Sequence, residues 1–262
     1  LLLLHGYPQT HIMWRRVAPQ LAKRFTLICP DLRGYGDSEK PPSAADHAPY
    51  SKRAMAQDMA EVMSALGHER FFVGSHDRGA RVGHRLALDH GERVLKLATL
   101  DIAPTREMYR DTTDAFARAY WHWFFLIQPA PMPERMIEAD PEFYWTSRRA
   151  SDMKLFEPAA LAEYLRCFRD PAMIHASCED YRAAATIDIA HDDADGGRKV
   201  ACPLLALWGD RGAVGKCFDV LALWRERAEN VQGRALPGGH YLAEEIPDLV
   251  VAEFSAFFGE NI

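Results

Sequence analysis

Short runs of apolar residues alternate along this chain with longer segments in which apolar residues recur at helical spacing. In residues 51–66, for example, Met55, Met59 and Met63 fall on one face of a helix, which predicts core packing. Short buried strands that alternate with amphipathic helices are typical of a parallel sheet covered by helices. The strands predicted in this way cover residues 1–4, 25–29, 71–74, 94–100, 203–208 and 231–236.

The alternation stops in the middle of the chain. Between about residues 106 and 200 the pattern instead predicts several helices rich in aromatic residues, with clusters at 120–125 and 143–145. We expect these helices to form a cap that is inserted between two strands of the sheet. The predicted division is a core of residues 1–105 and 201–262 and a helical cap of residues 106–200.

The chain opens on consecutive leucines, Leu1 to Leu4, that run directly into His5 and Gly6. Such a short apolar run without a basic flank is not a signal peptide, and it is typical of a strand already buried inside a sheet. We therefore expect residues before Leu1 to be missing from this sequence.

Charge balance and cysteine usage narrow the functional class. A net charge of −6, with acidic and basic residues interspersed, provides no basic face for nucleic acid, and no apolar run could span a membrane. Five cysteines without a CxxC pair indicate reduced thiols in a cytoplasmic protein. Because the histidines also lack metal-ligand spacing, we expect a small-molecule substrate, no metal and no organic cofactor.

The strongest chemical signal is the stretch Val-Gly-Ser-His-Asp-Arg-Gly at residues 73–79. It places Asp77 where a strand-to-helix turn of the GxSxG type places its nucleophilic serine, with Ser75 in the position of the first glycine. An activated serine attacks carbonyl carbon, whereas a carboxylate is suited to displacing a leaving group from saturated carbon. The sequence therefore predicts that Asp77 forms an alkyl ester, which water must then hydrolyse.

Hydrolysis of that ester needs a base that activates water and an acid that orients the base. His240 lies in the glycine-rich turn that begins at Gly238, near the C-terminus and after Asp77 in chain order, which predicts that it is the base. Two residues could supply the acid, because Asp101 and Asp210 each follow a predicted strand.

Two arginines follow the predicted nucleophile in the first turn of its helix. Arg78 and Arg81 are three positions apart and share a helix face beside Asp77. Cations at a helix N-terminus oppose the helix dipole at a cost of roughly 0.3 to 1 kcal/mol each, so an anion site is the better explanation than a solvated surface. A substrate carboxylate held there would align its α-carbon with Asp77, and a 2-haloacid satisfies that geometry.

These motifs, together with His5-Gly6-Tyr7-Pro8 and the loop at residues 31–38, resemble the α/β-hydrolases of the haloalkane dehalogenase and epoxide hydrolase branch. The resemblance is closer to the fluoroacetate (haloacetate) dehalogenases and covers nearly the whole chain. It implies an α/β-hydrolase fold, with a mostly parallel sheet flanked by helices and an inserted helical cap. The closer likeness is carried by residues 76–81 (His-Asp-Arg-Gly-Ala-Arg), 121–125 (Trp-His-Trp-Phe-Phe) and 178–182 (Cys-Glu-Asp-Tyr-Arg).

The resemblance also implies roles for individual residues. It favours Asp101 over Asp210 as the acid, and it implies an oxyanion hole made by the backbone amides of Tyr7 and Arg78. It further implies a homodimer. Taken alone, aromatic residues on a helix predict core packing, but the resemblance assigns a halide-binding role to His122, Trp123 and Tyr181.

The leading prediction is a hydrolase that converts a haloacetate to glycolate and halide through an ester of Asp77. An epoxide hydrolase would share Asp77 and His240, but it would protonate the epoxide with cap tyrosines and would have little use for Arg78 and Arg81. A catalytically silent ligand-binding protein on the same scaffold would typically have lost Asp77 or His240, and both are present.

Overall fold

The computed structural model of the protein describes residues 1–147 and 153–259. Its central element is a five-stranded sheet in which the strands are parallel and lie side by side in chain order. The strands are mostly apolar because helices cover a parallel sheet on both faces. They are β1 (Leu2–Leu4), β2 (Phe71–His76), β3 (Val94–Leu100), β4 (Leu204–Gly209) and β5 (Val231–Leu236).

Helices connect the strands, and those outside the long interval between β3 and β4 form two groups. The first group, before β3, comprises α1 (Ala18–Leu21), α2 (Lys52–Ala65) and α3 (Asp77–Asp89). The second group, after β4, comprises α12 (Val214–Cys217), α13 (Val220–Arg227), α14 (Leu242–Glu245) and α15 (Pro247–Gly259). The helix predicted at residues 51–66 is confirmed as α2, which begins after its N-cap residue Ser51.

Among the described residues between β3 and β4, the chain forms helices joined by loops and no strand. The boundaries of a separate cap at residues 106–200 remain a prediction. The helices of this insertion are α4 (Thr105–Arg110), α5 (Asp114–Ala119), α6 (Trp121–Leu126), α7 (Met132–Glu138), α8 (Pro141–Ser147), α9 (Pro158–Phe168), α10 (Pro171–Ala185) and α11 (Ile187–Asp195). Across residues 1–147 and 153–259, no helix combines the length and the apolar character that a membrane span requires.

One strand prediction is wrong. Residues 25–29 do not form a strand, and their backbone meets β1 through a single bridge between Leu2 and Ile28. Ile28 accepts a hydrogen bond from Leu3 N (2.8 Å) and donates one to Leu1 O (3.1 Å). The ladder does not continue beyond this bridge because Pro30, which follows the segment, has no amide hydrogen to donate.

The sheet topology brings the predicted catalytic residues to one edge. The carboxyl ends of parallel strands meet at the same edge of a sheet, where Asp77 directly follows β2 and Asp101 directly follows β3. Both aspartates adopt left-handed backbone conformations, with φ of 46° and 52°. Such strained positions cluster at functional sites, and His240 lies in the loop that leaves β5 at the same edge.

Gly79 provides a test of the packing beneath this edge. A Cβ at this position would lie 2.7 Å from the carbonyl oxygen of Leu4 and closer still to that of His5. We expect Gly79→Ala to lower the free energy of unfolding by about 1–3 kcal/mol or more, as overpacking does. Urea unfolding would measure the loss, with Gly197→Ala as a control because a Cβ there meets nothing. Equal unfolding midpoints for the two variants would contradict this packing.

Candidate active site

Asp77 is buried at the turn between β2 and α3. Its Oδ1 atom accepts a hydrogen bond from the backbone amide of Tyr7 (2.9 Å). Gly6 makes this approach possible, because a Cβ on Gly6 would lie 2.5 Å from the Asp77 Cβ. A backbone amide therefore holds one oxygen of the carboxylate, and the other oxygen faces His240.

His240 lies between the two aspartates. Its Nε2 atom is 3.8 Å from Oδ2 of Asp77, and its Nδ1 atom is 2.6 Å from Oδ2 of Asp101. The other oxygen of Asp101 accepts a hydrogen bond from the Gly209 amide (3.0 Å), which fixes the orientation of the carboxylate. Since a carboxylate only accepts hydrogen bonds, Nδ1 carries a proton, and Nε2 faces Asp77.

The structure places Asp101 and Asp210, the two candidates for the acid that orients His240, in different environments. Asp101 is fully buried and contacts the imidazole. Asp210 is exposed, and its backbone amide is bound to Leu236 O (2.9 Å) at the end of the neighbouring strand pair. The geometry therefore brings Asp77, Asp101 and His240 together and leaves Asp210 outside the constellation.

Two residues that the sequence analysis did not assign hold the His240 turn in place. His76 donates from Nε2 to the carbonyl oxygen of His240 (2.8 Å), and burial, reinforced by the charge of His240, lowers the pKa of His76 to about 3, so it stays neutral. On the other side, Glu245 accepts hydrogen bonds from the amides of Gly239 (2.7 Å) and Tyr241 (3.0 Å). Two features of the sequence could have identified these residues. His76 lies directly beside Asp77, and Glu245 follows the Gly-Gly-His turn.

The electrostatic environment keeps Asp77 ionised. Burial opposes its charge, but the positive potential of His240, followed by smaller contributions that include Arg78 and Arg81, holds the pKa of Asp77 below its ordinary value. The carboxylate is therefore negative at neutral pH and can act as a nucleophile without a base.

Arg78 is fully buried and bound to Asp180 on α10. Its Nε and Nη2 atoms each donate to a carboxylate oxygen of Asp180 at 2.8 Å, and its guanidinium lies 4.1 Å above the Tyr181 ring. Asp180 also binds Lys52 and accepts from the Tyr35 hydroxyl (2.6 Å). The sequence analysis missed Asp180, although it directly precedes Tyr181. Within the described chain, Nη1 of Arg78 is buried without a hydrogen-bond partner.

Arg81 is also buried, but its hydrogen-bond partners are all neutral. It donates to Thr105 Oγ1 (2.8 Å) and Ala103 O (3.3 Å), and it contacts Met108 Sδ (3.4 Å). Burial and the neighbouring charge of Arg78 lower the pKa of Arg81. Its Nε atom is buried and has no partner among residues 1–147 and 153–259. The nearby negative charge is that of Asp77, which opposes this lowering of the pKa, and no carboxylate is hydrogen-bonded to Arg81 in the described part of the chain.

The aromatic residues with the predicted halide-binding role lie close together beside the arginines. Tyr181 lies 5.8 Å from His122 and 6.4 Å from Trp123, measured between ring centroids. The Arg81 guanidinium lies 4.6 Å above the Trp123 ring. Trp123 is fully buried, and its Nε1 donor has no partner in the described part of the chain.

A cavity of about 230 Å³ opens onto this constellation. Asp77, His240, Tyr7 and His122 lie on its wall, whereas Arg78, Arg81, Trp123 and Tyr181 do not. Tyr120, another residue that the sequence analysis missed, also lines the cavity, and its hydroxyl lies 3.5 Å from Nδ1 of His240. The arrangement can bind a small anion, attack it with a carboxylate and activate water with a histidine.

Comparisons with known proteins agree with this geometry. A family model for the α/β hydrolase fold matches residues 1–246. A fluoroacetate dehalogenase of Burkholderia sp. is 51% identical over 95% of this chain and 83% of its own. A soluble epoxide hydrolase of Corynebacterium sp. (strain C12) is 35% identical, over 98% of this chain and 89% of its own. These matches confirm the resemblance inferred from the motifs.

A solved structure shows the same fold. A crystal structure of an α/β hydrolase from Nostoc sp. PCC 7120 superposes with a TM-score of 0.97 at 58% sequence identity. The superposition covers 99% of this chain and 90% of the Nostoc chain. The parallel sheet flanked by helices that the sequence predicts is therefore confirmed.

The different partners of the two arginines predict different stability losses. Arg78→Leu breaks a buried ion pair with Asp180, which typically costs about 3–5 kcal/mol of unfolding free energy. Arg81→Leu removes a buried cation that has no acidic partner, so we expect a smaller loss. Urea unfolding without ligand would compare the two variants. A loss for Arg81→Leu that equals or exceeds that for Arg78→Leu would contradict this division.

Proposed function

Because the chain belongs to the α/β-hydrolase family, we propose that it hydrolyses haloacetates to glycolate and halide through an alkyl ester of Asp77. The observation that carries the proposal is the buried guanidinium of Arg81, which has no carboxylate among its hydrogen-bond partners, beside the ionised Asp77. A small substrate that has both a carboxylate and a carbon–halogen bond matches these two groups. The fluoroacetate dehalogenase of Burkholderia sp., at 51% identity, supports the same substrate class.

In the first step the arginines bind the substrate carboxylate, with the unpartnered Nη1 of Arg78 and Nε of Arg81 as donors. Oδ2 of Asp77 attacks the α-carbon. A carbon–oxygen bond forms, the carbon–halogen bond breaks, and its electron pair leaves with the halide. Charge develops on the halide, so hydrogen-bond donors there lower the barrier. We assign this role to His122, Trp123 and Tyr181.

In the second step water hydrolyses the ester. The ester carbonyl oxygen is Oδ1, which the Tyr7 amide already contacts at 2.9 Å, and we assign the second oxyanion donor to the Arg78 amide. Water attacks the carbonyl carbon as Nε2 of His240 takes its proton, and Asp101 stabilises the resulting imidazolium. The bond between the carbonyl carbon and Oδ2 then breaks, and the imidazolium gives its proton to the leaving oxygen. Glycolate leaves with Oδ2, and Asp77 retains an oxygen from water.

The same geometry argues against the alternatives. An epoxide hydrolase such as the Corynebacterium relative would share the nucleophile, and tyrosines lie near the site. A neutral epoxide would nevertheless leave the buried guanidinium of Arg81 without a carboxylate as a hydrogen-bond partner. A silent ligand-binding protein would not need Nε2 of His240 and its oriented Asp101 so close to the carboxylate of Asp77.

We also infer the wider arrangement of the protein. Residues 106–200 would act as a cap, because His122, Trp123 and Tyr181 come from this insertion and the remaining proposed site residues come from the core. A cytoplasmic location is supported by five cysteines that are all unpaired. The homodimer rests on the family resemblance alone.

Blocking the second step tests the covalent mechanism. Because displacement needs no base and hydrolysis does, His240→Gln should release one halide per site from chloroacetate and then stop. Mass spectrometry should detect the carboxymethyl ester on Asp77. A single turnover of the wild type in heavy-oxygen water should place the label in the Asp77 carboxylate.

The wild type provides the control, since it should continue to turn over. A halide burst from His240→Gln without an adduct would refute the ester, as would label found only in glycolate. Diol formation from an epoxide, with no halide release from either fluoroacetate or chloroacetate, would instead identify an epoxide hydrolase.

The halide-binding role is tested by comparing two leaving groups. Fluoride is the poorer leaving group and the stronger hydrogen-bond acceptor, so Trp123→Phe, Tyr181→Phe and His122→Asn should impair defluorination more than dechlorination. Loss of one hydrogen bond to developing charge costs about 2.7–4 kcal/mol, or roughly a hundred- to thousandfold in rate. Ion-selective electrodes would measure both halides. Equal losses on fluoroacetate and chloroacetate by folded variants would show that these residues only fill the core.

A further inference from the structure

Arg211 lies where the active-site cavity meets solvent. It follows β4, and it is the sole arginine or lysine on the cavity wall within the described residues. Its backbone is fixed next to the His240 turn, because its amide donates to Gly238 O (2.9 Å) and its carbonyl accepts from the Lys216 ammonium (2.8 Å). Its side chain is 63% exposed. The backbone is therefore anchored, while the guanidinium projects at the cavity mouth.

The guanidinium is only weakly engaged. Its nearest acidic partner is Oε2 of Glu245, at 3.4 Å, and an exposed ion pair of this kind contributes little. Glu245 is already bound to the amides of Gly239 and Tyr241, so it does not need Arg211 to satisfy its carboxylate. An incoming anion can therefore replace Glu245 as the partner of Arg211 without disturbing the His240 turn.

A carboxylate substrate faces a repulsive approach. The chain carries a net charge of −6, and the exposed Asp210 precedes Arg211 directly. The buried arginines cannot attract a substrate from solution as effectively, because neither Arg78 nor Arg81 reaches the cavity wall. A cation at the mouth of a cavity raises the local concentration of anions. The position of Arg211 therefore fits the first contact that an anionic substrate makes.

We propose that Arg211 is a specificity-determining residue that recruits the substrate carboxylate to the cavity mouth before the buried arginines bind it. This inference rests on the proposed function, because it assumes an anionic substrate. Arg211 lies outside the groups that perform bond formation and proton transfer. Its contribution is therefore to KM and not to kcat.

Steady-state kinetics with chloroacetate test the inference. We expect Arg211→Gln to raise KM by about three- to tenfold at low ionic strength, with a nearly constant kcat. Arg211→Glu should raise KM further, and Arg211→Lys should restore most of the loss because it keeps the charge. The differences should largely disappear in 0.5 M salt, where screening acts over a few ångströms. A merely structural role for Arg211 would not produce this salt dependence.

Arg225→Gln is the matched control. Arg225 is exposed on α13 and does not line the cavity, so its replacement makes the same change in net charge without affecting the mouth. Three results would overturn the inference while the wild type still releases halide. They are an unchanged KM in Arg211→Gln, a rise in KM that persists in high salt, and an equal rise in KM in Arg225→Gln. A wild type that releases no halide from chloroacetate or fluoroacetate would overturn both proposals.

Discussion

The buried negative charge of Asp77 is the constraint on which the rest of the site depends. A carboxylate removed from water is unstable unless hydrogen bonds and opposite charges compensate it. The Tyr7 amide, His240 and the two arginines provide that compensation; Tyr7 and His240 come from opposite ends of the chain, and both arginines come from α3. The left-handed conformation of Asp77 at the end of β2 is what places its carboxylate among them.

Arg78 and Arg81 lie at the same site but have different hydrogen-bond partners. Arg78 is neutralised by Asp180 and stacked on Tyr181, so it joins α3 of the core to α10 of the insertion. Arg81 makes only neutral contacts and keeps its charge available. In the proposed anion site, one arginine would therefore fix the geometry, and the other would provide most of the attraction. Positions that look equivalent on a helical wheel have distinct electrostatic roles.

Local patterns in the sequence predicted the strands of the sheet and the turn around Asp77, because both depend on residues that are neighbours along the chain. The turn around Asp77 has a recognisable order of residues, and apolar runs predicted all five strands of the sheet. The segment at residues 25–29 has the same apolar character but forms a single bridge to β1 and no ladder. Strand propensity cannot reveal that absence, because pairing depends on distant parts of the chain.

Tertiary contacts determined what the sequence left open or missed. Asp101 and Asp210 both follow strands, and only the positions of the strand ends relative to His240 distinguish them. Asp180 was missed because its partners Arg78 and Lys52 are far away along the chain. A long-range buried ion pair has no local signature, whereas a nucleophile turn has one.

The Arg78–Asp180 contact also restricts how the protein can move. Lifting α10 away from the core would separate Asp180 from Arg78, Lys52 and Tyr35, and breaking a buried pair costs about 3–5 kcal/mol. A second set of buried hydrogen bonds ties Tyr164 of α9 to Gln9 and Glu244 in the core. These two sets of buried contacts therefore oppose a hinge motion that would lift α9 and α10 away from the core.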